Sequence, residues 1–257
     1  MIAYRTIRGV RIACWLSGEP WDAARKHLVF IHGSGGDHTV WNRQLPKLMD
    51  EWNVTAIELP GHGRSEGAGE QDVPAYVEWV REILEAFAIP KPVMVGHSLG
   101  AAISLAFAIK YPGLLAGIIP VGGGAKMPVN QAILDGLKTN PASVIEMIVK
   151  FSLTKNNREI IGGPLRESLL KANANILYGD LVACDRQDVT AEMAGITIPV
   201  LVICGDDDKM TPPDFSRFLA DRIPGARLSL IENAGHFVML ENPEALNRAV
   251  SDFSARI

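Results

Sequence analysis

The chain has 257 residues, enough for one α/β domain with an insertion and a large buried core. A hydrophobic share of 47%, a charged share of 21% and a net charge of −4, without basic runs, speak against nucleic acid as a partner. Three cysteines (Cys14, Cys184, Cys204) make no disulfide framework, and no secretory signal or run of 18 apolar residues stands in the sequence, so a cytoplasmic protein off the membrane is expected.

Residues 4–17 alternate apolar and polar around Arg8-Gly9, the pattern of an antiparallel hairpin. From His27 onward, strands predicted at 27–32, 53–59, 92–97, 115–121, 199–205 and 226–231 alternate with helices near 39–50, 73–88, 99–110, 212–222 and 242–255. That alternation predicts an α/β fold with a mostly parallel, twisted sheet covered by helices on both faces. It stops after Gly122-Gly123-Gly124. Residues 125–194 hold helical patterns and no convincing strand, and Ile198-Pro199 restarts the sheet. The expected organisation is a core of residues 1–124 and 195–257 with an inserted helical cap at 125–194.

The chemistry centres on Pro92-Val93-Met94-Val95-Gly96-His97-Ser98-Leu99-Gly100. A β-branched strand runs into Gly-x-Ser-x-Gly and an Ala-rich helix follows, so Ser98 sits on a tight strand-to-helix turn at a helix N-terminus that favours negative charge. A nucleophilic serine needs a base, and the base needs an orienting carboxylate. Downstream, the apolar strand Pro199 to Cys204 ends in Gly205-Asp206-Asp207-Asp208, and the strand Arg227 to Ile231 exits through Asn233-Ala234-Gly235-His236. The early strand His27 to Ile31 opens into His32-Gly33-Ser34-Gly35-Gly36, where a backbone N–H can face an oxyanion beside the N–H of Leu99.

With these motifs the chain resembles the α/β-hydrolase superfamily, in its capped esterase, lactonase and C–C hydrolase branch. The matching residues are His32-Gly33, Leu59 through Ser65, Gly96 through Gly100, Gly205 through Asp208 with Pro212, and Gly235-His236. The resemblance implies an α/β-hydrolase fold, a catalytic triad of Ser98, His236 and Asp208, and an oxyanion hole made by the Ser34 and Leu99 N–H groups. The family's pattern puts the acid three residues after the strand-ending glycine and four before the proline, which from Gly205 and Pro212 gives Asp208 both ways, with Asp207 as the alternative. The resemblance also implies that His32 is structural and that His62 and Arg64 brace a loop. His97, at the variable position of the elbow, is expected to point away.

No cofactor and no metal are expected: no His-Glu-x-x-His, P-loop or GxGxxG pattern is present, and three consecutive aspartates diverge too much to share an ion. The expected activity is hydrolysis of small to medium neutral carboxylic esters. A C–C bond hydrolase, enol-lactonase or perhydrolase would use the same triad, and a non-enzymatic small-molecule receptor is a third reading. Cap arginines Arg158, Arg166 and Arg186 stand among polar neighbours, which favours a neutral substrate over an anionic one. Apolar residues within 144–151 and 169–177 are expected to line the pocket.

Overall fold

The computed structural model describes all 257 residues. Eight strands form one sheet: β1 (Ile2–Ile7), β2 (Val10–Leu16), β3 (His27–Ile31), β4 (Asn53–Ile57), β5 (Val93–His97), β6 (Gly117–Val121), β7 (Leu201–Gly205) and β8 (Arg227–Ile231). Their spatial order is β1-β2-β4-β3-β5-β6-β7-β8. The β1–β2 hairpin and the β2–β4 pair are antiparallel; every other pair is parallel. The five strands β3 to β7 are buried along their whole length, because helices cover both faces and leave no polar side to alternate with.

Ten helices accompany the sheet: α1 (Leu45–Leu48), α2 (Val73–Ala86), α3 (Leu99–Lys110), α4 (Gln131–Thr139), α5 (Pro141–Ser152), α6 (Lys155–Lys171), α7 (Ala174–Arg186), α8 (Pro213–Arg222), α9 (Val238–Glu241) and α10 (Pro243–Ser254). Helix α2 starts where the Asp72 side chain accepts from the Ala75 N–H beside Pro74, and it buries Tyr76, Val80 and Ile83 on one stripe. Helix α3 is apolar nearly all round and lies almost entirely inside.

The helix expected over 39–50 is a correction. The structure has a short 3₁₀ turn, His38–Trp41, capped by Asp37, and then the single turn α1. Pro46 cannot donate within a helix and so sits at the start of α1, where no donor is needed.

Two hydrophobic clusters sit on opposite faces of the sheet. Val29 and Ile31 point into one with α2 and α3, whereas Leu28 and Phe30 point into the other with Trp41, Leu246 and Phe253. Helices α4 to α7 fill the connection between β6 and β7, and their buried residues join these same clusters: Val144, Ile148, Leu165 and Leu177 in one, Ala183 and Cys184 in the other. The three cysteines are buried and free.

Candidate active site

Ser98 occupies the left-handed region at φ 53° and ψ −110°, between the end of β5 and the first turn of α3. A β-carbon at Gly96 would stand 2.0 Å from the Gly100 carbonyl oxygen, and one at Gly100 would stand 2.4 Å from that of Ile31. Only glycine permits so close a backbone approach, and the turn exists because both positions lack a side chain. The Ser98 N–H is tied to Val121 O of the neighbouring strand at 3.0 Å, which fixes the strained residue from below.

His236 lies in the loop after β8, and its Nδ1–H donates to Asp208 Oδ2 at 2.9 Å. The same oxygen accepts from Thr211 Oγ1 at 2.9 Å, while Asp208 Oδ1 accepts from the Met210 and Thr211 N–H groups at 2.8 and 2.9 Å. Burial pushes the Asp208 carboxyl up, but His236 and the Thr211 donors outweigh it and hold it below the usual carboxylate value. Asp207, the alternative, is exposed and pairs with Lys209 instead. Ser98 and His236 line two cavities that share walls, one of about 330 Å³ and one of about 70 Å³.

The larger cavity is walled by Met127, Val129, Ile133, Met147, Phe151 and Met210 among others, and the smaller one by Val40, Leu165, Leu169 and Leu177. Residues from 144–151 and 169–177 therefore do line it. The segment from Met127 to Ile133, which runs into the first turn of α4, carries no sequence signal that marks it as a cavity wall. Its apolar spacing is too short to be told from an ordinary loop. Gly33 and Ser34 line the smaller cavity beside Ser98, and the Leu99 N–H belongs to the first turn of α3, whose donors lack helical partners.

His97 is a correction. Rather than pointing away, it is buried against His236, with ring centroids 4.7 Å apart, and its Nε2–H donates to the His236 carbonyl at 3.0 Å. A strand side chain one residue before the turn must face one side of the sheet, and here that side lies beneath the His236 loop. Burial and the neighbouring His236 drive its pKa well below the ordinary histidine value, so it stays neutral.

His32 is also neutral, its pKa pulled to about 4 by burial and by His62 nearby. Its Nδ1–H donates to Gly33 O at 2.8 Å and its Nε2 accepts from the Leu59 N–H at 3.1 Å, linking the loops after β3 and β4. Arg64 braces its loop through its N–H, which donates to Glu58 Oε2. No sequence motif marks Asp180 on α7, Glu241 on α9 or Ser152 at the end of α5. The structure brings all three to the loops around Ser98: Glu241 accepts from the Gly235 and Thr154 N–H groups at 2.8 and 2.9 Å, and Ser152 O accepts from the His236 N–H at 2.7 Å. One grouping of Asp37, His38 and Glu58 has ligand atoms within 4.8 Å of one another, but Glu58 already binds His38 Nδ1 and the Arg64 N–H.

A family model described as the alpha/beta hydrolase family matches residues 28–249. The chain belongs to this family. Its sequence is 29% identical over 246 residues to a pimeloyl-[acyl-carrier protein] methyl ester esterase of Neisseria meningitidis, covering 90% of this chain and 77% of that protein. Among solved structures, a thermophilic esterase is 31% identical with a TM-score of 0.88 and coverage of 100% and 98%. The enol-lactonase of Burkholderia xenovorans LB400 has a TM-score of 0.92 at 22% identity, over 98% of this chain and 100% of that one, a likeness of fold alone. The chain is thus a hydrolase of the esterase type. No helix is long and apolar enough to cross a membrane.

Proposed function

We propose that the protein hydrolyses small to medium neutral carboxylic esters through an acyl-enzyme on Ser98, with His236 as base and Asp208 as its orienting carboxylate. The observation that supports this reading is the strained Ser98 elbow opening on an apolar cavity that it shares with an Asp208-bound His236. His236 takes the Ser98 proton as Oγ attacks the ester carbonyl, and Asp208 holds the Nδ1–H tautomer and stabilises the imidazolium. The Ser34 and Leu99 N–H groups receive the oxyanion, each worth about 3–4 kcal/mol in the transition state. His236 then protonates the departing alcohol, and a water activated by the same histidine releases the acid. No step needs a cofactor or a metal.

Helices α4 to α7 serve as the cap, closing the site over Ser98 and giving it apolar walls. A neutral substrate is favoured because the insertion's arginines are engaged elsewhere: Arg166 with Glu146, Arg158 with the Leu153 carbonyl and Arg186 with the Gln71 carbonyl. Lys209, the cation on the cavity wall, pairs with Asp207. The esterase relatives support ester cleavage over C–C cleavage.

Two measurements test the proposal. A fluorophosphonate probe labels the wild type and not Ser98→Ala, and kcat/KM for p-nitrophenyl esters falls about 10⁴-fold in that variant while it stays folded. Across acetyl, butyryl, octanoyl and palmitoyl esters, kcat/KM peaks before palmitoyl and exceeds that for an anionic vinylogous diketone. Activity in Ser98→Ala near the wild-type level, or a preference for the diketone, would overturn the assignment.

A further inference from the structure

Asp180 is a carboxylate with no exposure at all, on the inserted helix α7, at the contact between that helix and two core loops. A charge so placed persists only when its oxygens are satisfied. Here Oδ2 accepts from the Gly35 N–H at 2.8 Å and from His62 Nε2–H at 2.8 Å, and Oδ1 accepts from the Tyr76 hydroxyl at 2.5 Å. His62 Nδ1 faces the Pro60 carbonyl at 3.0 Å, so both ring nitrogens meet acceptors and the ring is an imidazolium, the counter-charge of Asp180. Helix α7 approaches closely enough that a β-carbon on Gly179 would stand 2.9 Å from the Glu70 carbonyl oxygen. Leu177, one turn earlier, packs on Gly35 itself.

Gly35 directly follows Ser34. Its backbone is left-handed at φ 64°, and the plane of the peptide between them is set by where the Gly35 N–H is held. From the core side, His32 holds the carbonyl of Gly33, the peptide on the other side of Ser34. Asp180 holds the far side, and that hold comes from the insertion, not from the core.

We infer that Asp180 is a positioning residue for the oxyanion loop: by fixing the Gly35 N–H it locks the Ser34–Gly35 peptide at the centre of the turn that the Gly36 N–H closes on the Gly33 carbonyl, and so the insertion steadies the loop that carries the Ser34 N–H beside Ser98 as well as walling the cavity. This rests on the ester-hydrolase reading above for what the loop does, and not for the contact itself.

The test compares Asp180→Ala with Tyr76→Phe, which removes another donor to the same carboxylate without touching Gly35, and with Asp180→Asn, which keeps an acceptor oxygen. In Asp180→Ala, kcat falls about 10- to 100-fold with KM within about twofold, and inhibition by phenylboronic acid, which forms a tetrahedral adduct, weakens in step. Tyr76→Phe lowers the melting temperature but keeps kcat within about twofold, and Asp180→Asn keeps kcat within about threefold. Hydrogen exchange at the Gly35 amide is slow in wild type, Tyr76→Phe and Asp180→Asn, and fast in Asp180→Ala. A kcat for Asp180→Ala matching that of Tyr76→Phe, or a Gly35 amide still protected in it, overturns the inference. So does a collapse of kcat in Asp180→Asn, which decides the matter if Asp180→Ala does not fold. A wild type inactive on every ester would remove the ester reading, and the Gly35 exchange would still read the contact.

Discussion

The parallel sheet around Ser98 and the helices inserted between β6 and β7 are held in place by different physics. Strands β3 to β7 are wholly buried and their register is set by ladder hydrogen bonds, so position there depends on close packing of backbone and apolar side chains. The insertion has apolar faces that join the core clusters, yet it leaves Met147, Phe151, Ile160 and Leu170 exposed. It also meets the core loops through polar contacts made by Asp180, Ser152 and Glu241. In the core, a misfit is paid in sterics; in the insertion, it is paid in unpaired polar groups. The two regions should therefore fail differently.

The sharpest division lies within one loop of the core. Asp208→Asn is expected to lower kcat about 10⁴-fold, because the amide cannot hold His236 in the tautomer that accepts the Ser98 proton. Asp206→Asn and Asp207→Asn are expected to change it by less than about threefold, since their carboxylates do not reach the imidazole. Steady-state kinetics on one p-nitrophenyl ester checks all three. If Asp207→Asn is the crippling change, the orienting carboxylate is misassigned.

The steric character of the core predicts that Gly96→Ala destabilises by about 3 kcal/mol or more, given the 2.0 Å approach of its β-carbon to Gly100 O. Urea titration measures it. A loss under about 1 kcal/mol would mean that the elbow is looser than packing requires.

The seam between the insertion and the core should respond to pH through His62. Burial lowers the His62 pKa, but the charge of Asp180 and its hydrogen bond raise it by more, so it lies above the ordinary value of 6.5. The groups facing it are Asp180, the Pro60 carbonyl, Tyr76 and the neutral ring of His32. A group whose pKa is raised by folding contributes stability that is complete below 6.5 and disappears as pH climbs through the raised value. Melting temperatures from pH 6 to 10 should thus fall more steeply in wild type than in His62→Gln. Parallel curves would show that the Asp180–His62 pair is not charged.

The smallest effect belongs to the outer surface of the insertion. Ile160 is 75% exposed on α6, and Ile160→Ser should shift stability by less than about 0.5 kcal/mol. A larger loss by thermal melting would mean that something covers that face.

The same contrast governs what could be read from the sequence. The buried strands announce themselves as short β-branched runs, and the family pattern that the resemblance brings, counted from Gly205 to Pro212, picks the aspartate that the structure joins to His236. Pro46 was a visible reason to break the helix expected over 39–50, since an interior proline removes a donor. Asp180 is harder to see. It lies three residues after Leu177 and four after Ile176, on the apolar phase of its helix, and a charge in that phase signals a buried partner without naming it. Its partners stand 104 to 145 positions earlier in the chain, and no local pattern links them. The orientation of His97 was lost for the same reason: it depends on the His236 loop, 139 positions away.

Glu241 holds the Gly235 N–H with one oxygen and the Thr154 N–H and Asn157 Nδ2–H with the other, so a single side chain sews the His236 loop to the junction of α5 and α6. That stitch bears on how specificity can be re-engineered. A replacement segment grafted between β6 and β7 from another sequence would need donors at the positions of Thr154 and Asn157 and an acid at that of Asp180, or the host loops would be left frayed. Wholesale exchange of the segment is therefore a poor route to new substrates. Point changes along the cavity wall, at positions such as Ile133, Met147 or Phe151, leave every stitch intact and are the productive place to begin.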